Sequence, residues 1–542
     1  MVELLESSRR YESCYREWIR RCRLFGGGDS RRKMSKDKQL KIGAILSYVS
    51  IALNIVAGLI YTPWMVRQIG KSQYGLYTLA NSVITLFLVD FGLGAATARY
   101  LSKYHAEGDE DKASNFLGVI YKLYLIIDTI IFVALFVFFF LLDVIYVNLT
   151  PQEMQQFKVV YLIASTFAVF NFPFVTQNGI LTAYEKFIPL KLADIIYRIL
   201  LVSFTIVALL LGYGLYALVS VHAIVGILVV IFKFIIIRKD VPMRANWKHS
   251  DSALYKEIFA FSIWVTIASL AQRLIFNITP TVLGVTSGTE AIAVFGIVTT
   301  IEGYAYTITT AINGMFMPKI SKEYAKDGED EQRAAERLNA LFINVGRFQY
   351  VLNGLIVVGF AVLGRSFIAL WMGNGFDQAY AGILLVIIPG LFFNSLQIAN
   401  TAMIVRKKVK LQAIINIITG CTNIVLSFIL SYYIGVLGSC ISIFVAYMLR
   451  AIILNVVTRK VLKFDIKEFI KKCYVRTAIP IAISLVIAFG INYFIPDGGW
   501  LIFLCEAAIV VVIYIVAIFF IGITKDERRS CVTLFKKKIL RR

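Results

Sequence analysis

Charge is what this sequence has least of. Only 17% of its residues are Asp, Glu, Lys or Arg, while 58% are hydrophobic. A soluble globular chain carries about 25% charged residues and roughly half apolar ones. One buried core cannot absorb such an apolar excess over 542 residues, so much of it has to face lipid. Histidine is nearly absent: His105, His222 and His249 lie far apart. The seven cysteines (Cys14, Cys22, Cys421, Cys440, Cys473, Cys505, Cys531) form no CxxC pair. Neither pattern is a metal signature, and nothing in the cysteine spacing calls for disulfides. No cofactor is expected.

Nucleotide and hydrolase motifs are missing as well. Gly70-Lys71-Ser72 ends like a phosphate-binding loop, but Met65 stands where that loop needs its first glycine. HExxH and GxSxG do not occur, and no soluble stretch is long enough for a paired-carboxylate domain, so an enzyme is not expected. Asn148-Leu149-Thr150 fits a glycosylation acceptor, a tripeptide common by chance. Residues 1–33 are Arg-rich but hold no apolar run, so they are no signal peptide. They read as a leader ahead of a start at Met34; the other reading is a basic arm on anionic lipid.

What is present is a series of apolar runs. They fall at 42–66, 75–97, 117–142, 157–179, 190–211, 213–235, 257–283, 290–316, 340–364, 378–404, 411–433, 436–457, 477–495 and 500–523. A spanning helix needs about 20 mostly apolar residues. The expected fold is an all-α polytopic membrane protein with about fourteen transmembrane helices. The net charge of +22 tests that count. Lys and Arg concentrate in alternate loops, among them 99–112, 184–191, 233–251, 319–337, 406–410 and 458–476, and in the tail. Positive charge stays on the side from which the chain inserts, so both termini are expected on the cytoplasmic face. Nucleic acid is not needed to explain the basicity. Trp64, Trp371 and Trp500 fall near the opposite interface, where an aromatic belt would lie.

The chain also repeats itself. LSKYHAEGDEDKAS (101–114) is similar to ISKEYAKDGEDEQRAA (320–335). Each copy follows a Thr-Pro pair that reads as a helix end (Thr62-Pro63, Thr279-Pro280) and a Gly-containing turn (Gly75, Gly296). The copies are separated by an even number of spans and so share one orientation. A parallel repeat of two six-helix halves places a substrate path between them. The expected divisions are a basic extension (1–33), an N-terminal half (34–239), a C-terminal half (240–457), two appended helices (458–523) and a basic cytoplasmic tail (524–542).

Arg67, Gly70, Tyr74, Gly75, Leu76 and Tyr77, followed by Phe91, Gly92, Leu93, Gly94 and Arg99, resemble the opening of polysaccharide-biosynthesis flippases. These form the Wzx-like branch of the MOP exporter superfamily. MFMPKISKEYAKDG looks like the corresponding helix end of the second half. Multidrug exporters and lipid II flippases share this fold and remain the alternatives. The resemblance implies translocation of undecaprenyl-pyrophosphate-linked oligosaccharide across a bacterial cytoplasmic membrane by alternating access, beside a polysaccharide polymerase. Many members carry an acidic residue where this chain has Asn277, so coupling through that position is not implied.

A charge inside a span costs a few kcal/mol unless it faces a partner or a wet cavity. Pyrophosphate is best held by guanidinium, which grips two oxygens at once. Arg273 is the leading candidate to line a cavity; a structural pair with Glu302 or Asp128 is the competing reading. Arg198 is a second candidate, with Asp194 four residues earlier on the same helix face. Lys191 lies one turn further back and can extend a cationic mouth or snorkel to the interface. Asn171, Gln177 and Asn178, near Pro173, are placed to contact sugar hydroxyls or to pack helices. Asp90, Glu302 and Asp128 are candidates to carry Na⁺ or H⁺, against structural pairing. Glu506 is expected to face a neighbouring helix or the interface.

Overall fold

The computed structural model describes residues 36–522, apart from Ser250, Ile312, 327–330, Lys407 and 496–497, together with Arg528. The N-terminal extension and most of the basic tail lie outside the described residues. Every element among the described residues is helical. Eleven described helices are long and apolar enough to cross a membrane, against the fourteen or so expected. The difference comes from broken and joined runs.

The first half opens with α1 (Lys36–Ile69). Gly70, at φ 88°, turns the chain into α2 (Lys71–Phe87). The expected second span is then interrupted, because Phe91 (φ 52°) and Gly92 (φ 68°) both adopt left-handed backbone before α3 (Leu93–Glu107). A left-handed Phe is costly outside glycine's range, so the surrounding structure holds it. The Asp90 carboxylate accepts from the Gly92 amide at 3.1 Å and closes this turn. Next come α4 (Glu110–Ile145), α5 (Pro151–Asn171) and α6 (Thr176–Ala183), the last two joined by a 3₁₀ turn carrying Pro173. The half ends with α7 (Phe187–Leu210) and α8 (Gly214–Asp240).

The second half repeats the plan. Its helices α9 (Ser252–Phe276) and α10 (Thr279–Thr286) split the expected seventh span at Asn277. Gly288, at φ 80°, takes the place of Gly70 and leads into α11 (Thr289–Thr310) and α12 (Asn313–Lys326). After α13 (Glu331–Trp371), the tenth run forms three short pieces: α14 (Asp377–Ile387), α15 (Gly390–Ser395) and α16 (Gln397–Val405). Runs eleven and twelve are one continuous hairpin, α17 (Val409–Lys460). It folds back at Ile434 and Gly435 (φ 59°), and buried Ser427 and Ser439 hydrogen bond at 2.9 Å across the bend. The short α18 (Ile466–Phe469) and a π turn lead into α19 (Arg476–Phe494), and α20 (Trp500–Ala517) follows. These appended helices pack on α13, where Val358, Ala488, Val510 and Tyr514 form a small separate core.

Three expectations need correction. Pro63 lies inside α1 rather than at its end, and Pro280 starts α10, where a missing amide proton costs nothing. The turns of the repeat are made by Gly70 and Gly288. Gly75 and Gly296 instead lie inside α2 and α11, where these equivalent helices cross: a Cβ on Gly75 would collide with the Thr289 carbonyl, and one on Gly296 would come within 3.0 Å of Thr78 Oγ1. Trp371 is buried against α1 instead of lying in a lipid belt; Trp500 is the exposed one.

Candidate functional site

The halves are sewn together at the end where α2, α5 and α11 begin. Glu153 Oε1 accepts from Ser72 of α2 and from Thr289 of α11, each at 2.5 Å. Its other oxygen completes a capping box with Thr150. Lys71 pairs with Glu290 at 3.0 Å, and Asn148 donates to the Val285 carbonyl. The Trp371 indole donates to the Leu59 carbonyl at 2.5 Å, and Arg67 reaches the Trp371 carbonyl at 3.4 Å.

Away from this seam lies a cavity of about 1070 Å³, walled mostly by the second half, with Ala95 and Arg99 of α3 contributed by the first. Its walls come from α3, α9, α11, α16 and both arms of α17. Four cations, Arg99, Arg273, Lys410 and Arg450, line it against one carboxylate, Glu302. Arg273 is on the wall, and its guanidinium donates to the Thr85 carbonyl near the end of α2, with Asp90 the acid that acts on it electrostatically. Glu302 and Asp128 make no ion pair with Arg273 among the described residues.

Arg450 is the residue that sequence reasoning missed. Only 4% of it is exposed, it donates to Gln272 Oε1, and its guanidinium lies 4.3 Å from the centre of the Phe393 ring. Stacking on an aromatic face holds a guanidinium flat with its edge donors free. Lys410 is held over Trp264 at 5.1 Å. Glu302 shares this wall with Tyr306 and Tyr447 and has no ion pair among the described residues.

A second cavity, of about 490 Å³, lies within the first half between α1, α5, α6, α7 and α8. It brings together Asn171, Gln177, Asn178 and Arg198, which the sequence singled out, and adds Asn54 and Lys233. Asp194 does not pair with Arg198. Lys191 takes it at 3.3 Å, and Arg198 donates instead to the Asn54 carbonyl at 3.3 Å. Lys191 is therefore a partner of the wall rather than part of it. Arg198 Nε and Gln177 Oε1 are buried without hydrogen-bond partners. Next to this cavity His222 bridges the hydroxyls of Tyr77 (2.9 Å) and Tyr197 (3.3 Å).

The remaining candidates separate. Asp90 holds the α2–α3 turn. Asp128 lies on α4 outside both cavities, with one carboxylate oxygen unpartnered. Glu506 is buried where α20 meets α13 and α19, beside Asn492. No cluster of His, Cys, Asp and Glu that could hold a metal occurs among the described residues.

The comparisons agree with this architecture. No curated protein matches the sequence. Among solved structures, the lipid II flippase MurJ in an inward closed conformation is similar with a TM-score of 0.66 at 16% identity, covering 88% of this chain and 97% of that one. An inward-facing multidrug resistance MATE transporter of the MOP superfamily gives 0.64 at 15% identity, covering 78% and 99%. A MOP superfamily transporter from Pyrococcus furiosus, described as having a binding pocket of reverse polarity, gives 0.56 at 15% identity, covering 78% and 95%. At such identities the likeness concerns the fold. The sequence itself matches the family model "polysaccharide biosynthesis protein" over residues 40–324, more than half of the chain. By its sequence, then, the chain belongs to the polysaccharide biosynthesis protein family.

Proposed function

We propose that this protein moves a polyprenyl-pyrophosphate-linked oligosaccharide, built on undecaprenyl, from the inner to the outer leaflet of a bacterial cytoplasmic membrane. The observation that carries the reading is the charge of the large cavity: Arg99, Arg273, Lys410 and Arg450 against Glu302 alone. A pyrophosphate diester brings two negative charges, and guanidinium groups in a water-poor site bind them with charge-assisted, forked hydrogen bonds. The oligosaccharide fits the amide- and aromatic-lined walls, Gln272, Gln397, Asn400 and Asn416 among them, while the polyprenyl chain stays in lipid.

The lobes alternate. With the seam shut, the cavity receives the head group from the face that bears the basic loops, and both chain termini lie on that face. Arg273 and Arg450 hold the pyrophosphate. Arg198, Asn171 and Gln177, with Lys191 behind them, form a second polar station in the first half. Glu302, alone among cations and aromatic rings, is the group that would exchange H⁺ or Na⁺ during the cycle; Asp90 and Asp128 are less suited, being engaged in a turn and outside the cavities.

A second reading has its own support. Glu302 beside Tyr306, Tyr447, Phe393 and Trp264 is also what an organic cation would meet. Reconstitution into vesicles with a fluorescent pyrophosphate-linked glycolipid separates the two. Leaflet exchange by the wild type, lost in Arg273→Ala, supports the flippase; no exchange together with extrusion of organic cations overturns it.

A further inference from the structure

The seam offers a device that the cargo-binding groups do not require. Three helix starts converge on one carboxylate. Ser72 stands in the first turn of α2, Thr289 opens α11, and Glu153 itself lies in the first turn of α5. Since α2 and α11 are equivalent elements of the two halves, Glu153 accepts one hydroxyl from each half at 2.5 Å. Thr289 and Ser72 also approach each other at 3.2 Å, which completes a three-membered ring of contacts.

The positive ends of three helix dipoles point at the same group, which favours an ionised carboxylate there. The neighbouring Lys71–Glu290 pair is different in kind, because the Glu290 side chain is 72% exposed. An ion pair so open to solvent contributes little. Burial separates the two sets of contacts: Glu153 is half-buried between the lobes.

We propose that Glu153 is the latch of the seam: its bond to Thr289, braced by its bond to Ser72, holds the second half to the first at this end, and rupture of the Thr289 bond is the step that opens it. The inference rests on the alternating-access reading but not on the identity of the cargo. It makes Glu153 a positioning residue, which touches no substrate and acts by setting the balance between two arrangements of the halves.

The test is a distance measurement on the full chain in lipid nanodiscs. Spin labels on Gln155→Cys and Tyr433→Cys, both exposed positions on opposite halves near the seam, report its width in a background with the native cysteines replaced. A single short-distance population is expected with Glu153 intact. Glu153→Ala is expected to raise a longer-distance population at least tenfold. Glu153 also caps α5, so Ser72→Ala combined with Thr289→Val is the second variant; it leaves the capping box whole and is expected to widen the seam likewise. An unchanged distribution in the double variant overturns the latch, whatever Glu153→Ala does. A widened seam in a protein that moves no pyrophosphate-linked glycolipid would keep the latch and remove the cargo reading instead.

Discussion

The Trp371 indole donates to the carbonyl of Leu59, four residues before Pro63 in α1. Proline has no amide proton, so this is the one carbonyl that Pro63 leaves without its helical donor. A residue of the second half thereby completes a helix of the first. In a chain with so much lipid-facing surface, an unpaired carbonyl is costly, and the partner that removes the cost also joins the halves.

Trp371→Phe keeps an aromatic ring, though a smaller one, and removes the donor. It is expected to destabilise the protein by about 1–3 kcal/mol, the cost of an unsatisfied buried polar group. In a Pro63→Ala background the helix can bond Leu59 itself, and the same change should cost measurably less. Denaturant titration in micelles on the four proteins of this cycle is the check; equal costs in both backgrounds would break the link between the two residues.

At the α2–α11 crossing, Gly75→Ala puts a methyl group into the Thr289 carbonyl and has to push the helices apart. Overpacking of this kind costs about 1–3 kcal/mol. Gly490→Ala in α19 meets nothing within 4 Å and is the matched control, expected to be neutral or slightly stabilising. Thermal unfolding followed by fluorescence distinguishes them.

Gly75 and Gly296 illustrate how far the sequence could be read. Apolar runs and loop charges were enough for the helical class, and the repeat pointed to the helices that meet at the centre. The repeat could not say why Gly75 and Gly296 lack side chains, because a turn and a close helix crossing impose the same demand. Asp194 and Arg198 stand at pairing distance on one helix, yet Lys191 on the same helix wins the carboxylate, a competition that spacing does not rank. Arg450 is the only charge in the run 436–457. It lies about two turns from the basic loop, within snorkelling reach of an interface, and only the tertiary packing of Phe393 shows that it turns inward instead. Breaks at Phe91, Asn277 and the α14–α16 segments leave hydropathy almost untouched, so a run of apolar residues reads the same whether it is one helix or three.

For the proposed transport, Arg450→Ala removes a stacked, hydrogen-bonded guanidinium and should slow glycolipid exchange by about 10- to 100-fold, the range of one or two charge-assisted bonds. Arg450→Lys should restore little of it, since an ammonium neither forks nor stacks as a guanidinium does. Vesicle assays with matched protein incorporation measure both. Full rescue by lysine would mean that only charge matters at this position.

Glu302→Gln removes the one negative charge facing a negatively charged head group. Binding of a soluble pyrophosphate-linked sugar is expected to tighten several-fold by titration, because like-charge repulsion in a desolvated site is lost. Transport driven by an ion gradient should fall at the same time. Unchanged binding together with unchanged coupling would assign Glu302 a packing role.

Glu302 and Tyr306 of α11 face the large cavity, whereas Tyr304, on the opposite side of the same helix, presses its hydroxyl against Gly58 of α1 beside the Arg198 guanidinium. One helix thus lines the large cavity on one flank and, on the other, touches α1 beside Arg198, a wall residue of the smaller cavity. Any roll of this helix about its own axis would therefore act like a camshaft, moving Glu302 on the large cavity and the tyrosine beside Arg198 together.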